Sequence, residues 1–160
     1  MFVFSVRANK PKFIVALCVL AAVLILLTVV FSTGDNPVTK SKDISSRAAD
    51  SAERIAFLSQ FGWKINEEPV EVTEVIIPSE FNDTYTSYNE IQKKQSMNLE
   101  AYKGQRVKKW VYEVLNYPGY PAESSCIRAT LLIYDGMVIG GDVSSLELGG
   151  FMQGFDYPVS

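Results

Sequence analysis

The sequence predicts an α+β fold, a small domain in which an antiparallel sheet packs against two helices, placed after an N-terminal transmembrane helix. Three observations predict it. One unbroken apolar block occupies residues 13–31, two later stretches carry apolar side chains at helical spacing, and two β-rich runs flank the pair Asp135-Gly136, the turn chemistry of a tight hairpin. The 160 residues are 48% apolar and hold 15 basic against 18 acidic side chains, a formal charge of -3, with no histidine. Without imidazole there is no Ser-His-Asp or Cys-His nucleophile, no His-ligated zinc or haem, and no switch resting on an unperturbed imidazole near neutral pH.

The apolar block, Phe13 to Phe31, contains no charge, proline or glycine, and its only polar side chains are Cys18 and Thr28. At about 1.5 Å per residue it makes a helix of roughly 28 Å, close to the roughly 30 Å hydrocarbon thickness of a bilayer. A buried core helix would carry a polar stripe, and this one carries none. Arg7, Lys10 and Lys12 precede the block with no acid, so the positive-inside bias puts residues 1–12 in the cytoplasm and everything after about residue 32 outside. A cleaved signal peptide would have a shorter apolar region ending in a small-x-small site, which Val30-Phe31-Ser32 matches only weakly. Residues 32–46 form a polar linker, and residues 47–160 form the extracytoplasmic domain. Beyond the anchor the balance is 12 basic to 18 acidic, or -6.

The elements of that domain follow in order. Arg47 to Phe61 reads as a helix, with Ala48, Ala52, Ile55, Leu58 and Phe61 on its stripe, Ser45 or Ser46 as cap and Gly62 at the C-terminal turn. Trp63 would fold back on the last turn, making Gln60-Phe61-Gly62-Trp63 a structural hinge. A short extended piece around 64–66 and a strand from Val70 to Ile77 come next, the latter stopped by Pro78. Asn82 to Gln95 is a second helix, capped by Asn82, with Tyr85, Tyr88, Ile91, Gln92 and Gln95 inward and Lys93 and Lys94 suiting the negative end of its dipole. Val107 to Tyr117 alternates as a strand, and Ile127–Tyr134 and Met137–Val143 are the two arms of the hairpin.

On these residues the chain resembles a known family. The set Ile55-Ala56-Phe57-Leu58, Phe61-Gly62-Trp63, Ile77-Pro78, Tyr88-Asn89, Gln92-Lys93 with Gln95, Tyr102-Lys103-Gly104, Asn116-Tyr117-Pro118, Asp135-Gly136 and Ile139-Gly140-Gly141-Asp142-Val143 is similar to a family of uncharacterised, membrane-anchored proteins of Clostridia-type bacteria classed as a domain of unknown function. The resemblance implies an exported domain behind one membrane anchor. It carries over no activity and no catalytic residue.

The residues themselves offer few routes to chemistry. Cys126 is the one cysteine outside the apolar block, so no disulfide closes within the domain; its lone thiol is one conceivable nucleophile of a cell-envelope hydrolase, while the position before Ile127 reads as a small packed residue. Glu113, Asp135 and Asp142 are the conceivable members of a carboxylate pair for a cell-envelope hydrolase. The hairpin turn accounts for Asp135, and a bulge or turn accounts for Gly140-Gly141-Asp142. There is no phosphate-binding glycine fingerprint and no set of thiolate or calcium ligands, and no cofactor is expected. Charge is segregated: seven acids and no base lie between Lys64 and Lys93, whereas Lys93, Lys94, Lys103, Arg106, Lys108 and Lys109 form a basic stretch interrupted only by Glu100. These six bases are the candidate surface for an anionic lipid, a wall polymer or an acidic protein, and nucleic acid is not an expected partner. Tyr117 and Tyr120, in a turn-rich segment with two prolines, are the candidate aromatic surface, with core packing as the alternative. The expectation is a binding or interaction module on a single-pass membrane anchor, and not an enzyme.

Overall fold

The structure, a computed structural model, describes residues 44–158. The expected cytoplasmic arm, the apolar run of residues 13–31 and most of the linker lie outside the described residues; among those described, no helix is long and apolar enough to cross a membrane. Five strands form one antiparallel sheet in the order β1-β2-β3-β4-β5: Glu71–Ile76, Arg106–Glu113, Ile127–Tyr134, Met137–Ser145 and Met152–Gln153. Two α-helices, α1 (Ser51–Ser59) and α2 (Asp83–Lys94), accompany it, with 3-10 turns at Leu99–Tyr102 and Ala122–Ser124.

Side chains alternate across β3, so the sheet has two apolar faces. Ala129, Leu131 and Ile133 join Phe57 and Leu58 of α1, Trp63, Tyr112, Val143 and Phe155 in the larger core. Leu132 points the other way and joins Ile77, Leu99, Val107 and Ile139, against which Tyr85 and Tyr88 of α2 pack. Each fully buried large apolar side chain contributes roughly 1.5–3 kcal/mol. The larger core is therefore the main source of stability.

The first helix is shorter than its periodicity predicts. Asp50, rather than Ser45 or Ser46, is the N-cap: its carboxylate accepts from Glu53 N at 2.8 Å, and the Glu53 carboxylate in turn accepts from Ala49 N at 2.8 Å. Residues 46–48 do not join the helix because their backbone is pledged to the hairpin, Ala48 N donating to Gly136 O and Ser46 O accepting from Val138 N, both at 2.8 Å. The buried stripe is also rotated from the expected one. Arg54 and Phe57 join the expected Leu58 on the inward side while Ala52 is exposed, since Phe57 buries more apolar area than an alanine. Gly62 closes the helix at φ +94°, and Trp63 folds back as expected, donating from its indole to Phe155 O at 2.6 Å.

The second helix starts where predicted: Asn82 accepts from Tyr85 N at 2.8 Å. Strand β2 ends at Glu113, short of the predicted Tyr117, because Val114 makes a single bridge to Ile65 and the Asn116 side chain turns to Lys64 N and Gly62 O. The hairpin turn carries Asp135 at φ +49° and Gly136 at φ +74°, the two left-handed positions of a primed turn. The β3–β4 register shifts between Leu132 and Ile133, leaving Ile139 as the extra residue of a bulge. Strand β5 was not expected; two residues are too few to show alternation.

Candidate functional site

Helix α1 spans only nine residues and lies over the β3–β4 side of its face of the sheet. Toward β1 the same face is open, and Val72 and Ile76 are 49% and 58% exposed. A groove of about 660 Å³ occupies the step. Its wall is Ala48, Ala49 and Arg54, its floor includes Arg106, Lys108 and Trp110, and Glu74 and the hairpin turn complete the lining.

Arg54 is the unusual member. It is only 7% exposed, yet no carboxylate lies within ion-pairing distance among the described residues. Its Nε donates to the Tyr112 hydroxyl at 2.8 Å, its guanidinium carbon sits 3.6 Å from the centroid of the Trp110 ring, and Nη1 reaches Ala48 O and Ala49 O only at 3.5 and 3.4 Å. Nη2 takes no partner among the described residues. Removing a guanidinium from water without a counter-charge costs several kcal/mol. Stacking on an indole returns about 1–2 kcal/mol, and a hydrogen bond to a charged group about 1.5–3. An anion in the groove would complete the set. Lys108, exposed on the floor, is a second cation without an ion pair among the described residues, since Glu74, its cross-strand neighbour, pairs with Arg106 at 3.3 Å.

The opposite face handles polar groups differently. Asn89 and Gln92, on the inner side of α2, are 1% and 0% exposed. Gln92 Oε1 accepts from Gly141 N at 2.8 Å and Asn89 Oδ1 from Leu99 N at 2.8 Å. Asp142 is 3% exposed; Oδ2 accepts from the Tyr88 hydroxyl at 3.0 Å, and Oδ1 has no partner among the described residues. Burial pushes the Asp142 carboxyl above the usual carboxylate range, opposed by the nearby Ser144 and Tyr88 hydroxyls and by the Lys109 charge. Burial, reinforced by Asp142, pushes the Tyr88 hydroxyl well above its ordinary value.

The six bases of the expected anionic-partner surface do not form one surface. Arg106 and Lys108 line the groove, but Lys109, one residue on, points to the α2 face and pairs with Glu71 at 2.9 Å, drawing the Glu71 carboxyl below its ordinary value. Lys93 bridges Glu90 at 3.0 Å and Glu100 at 3.5 Å, Lys103 lies 4.5 Å over the Phe81 ring, and Lys94 lines a separate groove with Gln95 and Asp156. Tyr117 and Tyr120 are half-buried. Tyr117 stacks on Trp63 and Phe151 and donates to Gln153 Oε1 at 2.9 Å; Tyr120 packs edge-on against it and donates to Glu147 at 3.0 Å. The carboxylates are likewise apart: Glu113 is held below its ordinary range chiefly by the Ser125 hydroxyl, Asp135 sits in the turn, and Asp142 is buried behind Tyr88. Cys126 is half-buried, its thiol 3.1 Å from Ser124 O. Among the described residues no group of three or more Cys, Asp or Glu could hold a metal ion.

A family model described as a domain of unknown function, DUF4830, matches residues 57–143, more than half of the chain. The chain belongs to the DUF4830 family. The DUF4830 match contains α2 and β1–β4 up to Val143, and with them Lys108 and Trp110, but it begins three residues after Arg54 and ends before Phe155. The sequence resemblance to an uncharacterised domain family holds at that level. No curated protein and no solved structure matches the chain.

Arg54 was missed by the sequence reading, although a signal was there. It is the one cation on the stripe Arg54, Phe57, Leu58, Phe61, spaced i, i+3, i+4, i+7.

Proposed function

We propose that this chain is a binding module with an anionic partner, displayed outside the cell by a single-pass anchor over residues 13–31. The observation that carries the binding half is Arg54: a buried guanidinium with no carboxylate in ion-pairing distance among the described residues, lining a groove together with Lys108, which likewise has no ion pair there. The anchor half rests on the length of the apolar run and the three bases before it, and family membership is compatible with both. Binding is tested by titrating the full chain with acetate, inorganic phosphate and phosphatidylglycerol vesicles across a salt series. Affinity that falls as salt rises is expected, and no affinity for any probe at low salt overturns the reading. Topology is tested separately with a C-terminal tag on intact cells: external protease removes it if the domain is outside, and protection sinks that half.

A further inference from the structure

The groove differs from a surface that reads a membrane or a charged polymer. Such surfaces gather several solvated bases, each worth about 1 kcal/mol against an anionic layer. Here Lys93, Lys109 and Arg106 are held by acids of the same chain, and of the cations that line the groove Arg54 and Lys108 have no ion pair among the described residues. The guanidinium is also fixed in plane and position, by the Tyr112 hydroxyl on one edge and the Trp110 ring beneath it. A guanidinium held in this way offers Nη2, its one nitrogen without a partner among the described residues, to an anion's oxygen, and its orientation is settled before any ligand arrives. The remaining lining mixes apolar surface from Ala48, Ala49, Ile133 and Tyr134 with the charged Glu74, Arg106 and Asp135, and about 660 Å³ lies within the range of small-ligand sites. Beyond Glu74 the groove opens onto β1, an end strand of the sheet that shows Val72 and Ile76 to solvent on the same face and whose outer edge no described strand pairs.

We infer that the groove receives the terminal carboxylate of a short apolar peptide, with Arg54 as the carboxylate receptor, Lys108 as the second charge, and the free edge of β1 available to the peptide backbone. The inference rests on the anion-binding reading and narrows it. Neutral amides and headgroup surfaces lack either the charge or the compact planar anion that this arrangement selects.

The test uses the full chain and four probes: acetyl-Leu-Leu as free acid, the same dipeptide as its amide, octanoate, and phosphatidylglycerol vesicles. Binding is followed by tryptophan fluorescence, since Trp110 underlies Arg54 whereas Trp63 is 2% exposed. The free acid binds saturably and the amide at least tenfold more weakly. Lys108→Ala weakens the acid severalfold, and Arg54→Met abolishes its binding. Should Arg54→Met not fold, the acid-amide ratio and Lys108→Ala decide. Equal binding of acid and amide overturns the inference, and octanoate binding as well as the dipeptide overturns the peptide assignment. Vesicle binding without dipeptide binding overturns the inference but leaves the wider anion reading standing; silence from every probe removes both.

Discussion

The two faces of the sheet bury different kinds of polar group: under α2 two amides and the Asp142 carboxylate, whose Oδ1 alone lacks a partner among the described residues, and under α1 a guanidinium. Under α2, the amides of Asn89 and Gln92 meet backbone partners, so these polar residues act as internal braces for the Leu99 turn and for Gly141. Under α1, a charged group is buried with part of its hydrogen-bonding capacity unused and a groove in front of it. A satisfied polar group specifies a fold, whereas an unsatisfied one persists at a cost. The contrast between Gln92 and Arg54 is the ground for proposing binding on the α1 face.

The most damaging way to break the comparison is at the point where both faces meet. Gly141 has φ +154°, and an added Cβ would lie 2.0 Å from Thr130 O and 2.5 Å from the Phe155 ring. Gly141→Ala therefore costs roughly 3 kcal/mol or more, from overpacking and backbone strain together. Gly104→Ala, at φ +76° with open space around it, costs only about 1 kcal/mol. Denaturant midpoints of the two variants check the ranking.

Gln92→Leu preserves volume but strands the Gly141 N–H, for a loss of about 1–3 kcal/mol. Arg54→Met removes a buried charge that has no ion pair among the described residues, leaves the Tyr112 hydroxyl unserved and gives up the longer contacts to Ala48 O and Ala49 O, so it costs about 1 kcal/mol. If equilibrium unfolding ranks these two the other way, the contrast between the faces is wrong.

A smaller effect depends on pH. The folded Asp142 carboxyl titrates above its unfolded value, so the folded state holds an extra proton between the two values and stability falls as pH rises through the folded value. Relative to Asp142→Asn, the parent chain gains stability when pH drops from neutral toward the ordinary carboxylate range. Parallel unfolding curves at two pH values test this; an unchanged difference refutes it. Smallest of all, Lys108→Ala leaves the unfolding midpoint where it was while altering anion affinity, and Lys109→Ala, on the other face, leaves affinity unchanged. Paired titrations on these neighbours read the face directly.

The hairpin, the Asn82 cap and the hinge at Gly62 could be read from sequence because each depends on neighbours in the chain. The start of α1 could not, since Ala48 is drawn away by Gly136, 88 positions on. For the same reason the basic stretch read as one surface although alternation sends Lys108 and Lys109 to opposite faces, and non-local pairing with Glu74 and Glu71 decides which bases stay free. Arg54 was hidden in plain periodicity: a stripe drawn through alanines passed beside it.

The clasp between residues 46–48 and the hairpin has a mechanical meaning. A pull on the chain at residue 44 enters the domain through Ala48 N–Gly136 O and Val138 N–Ser46 O, two hydrogen bonds beside the groove wall formed by Ala48 and Ala49. Tension applied at residue 44 would peel that wall before it strained the sheet, so a load and an occupant of the proposed site would compete for the same few residues.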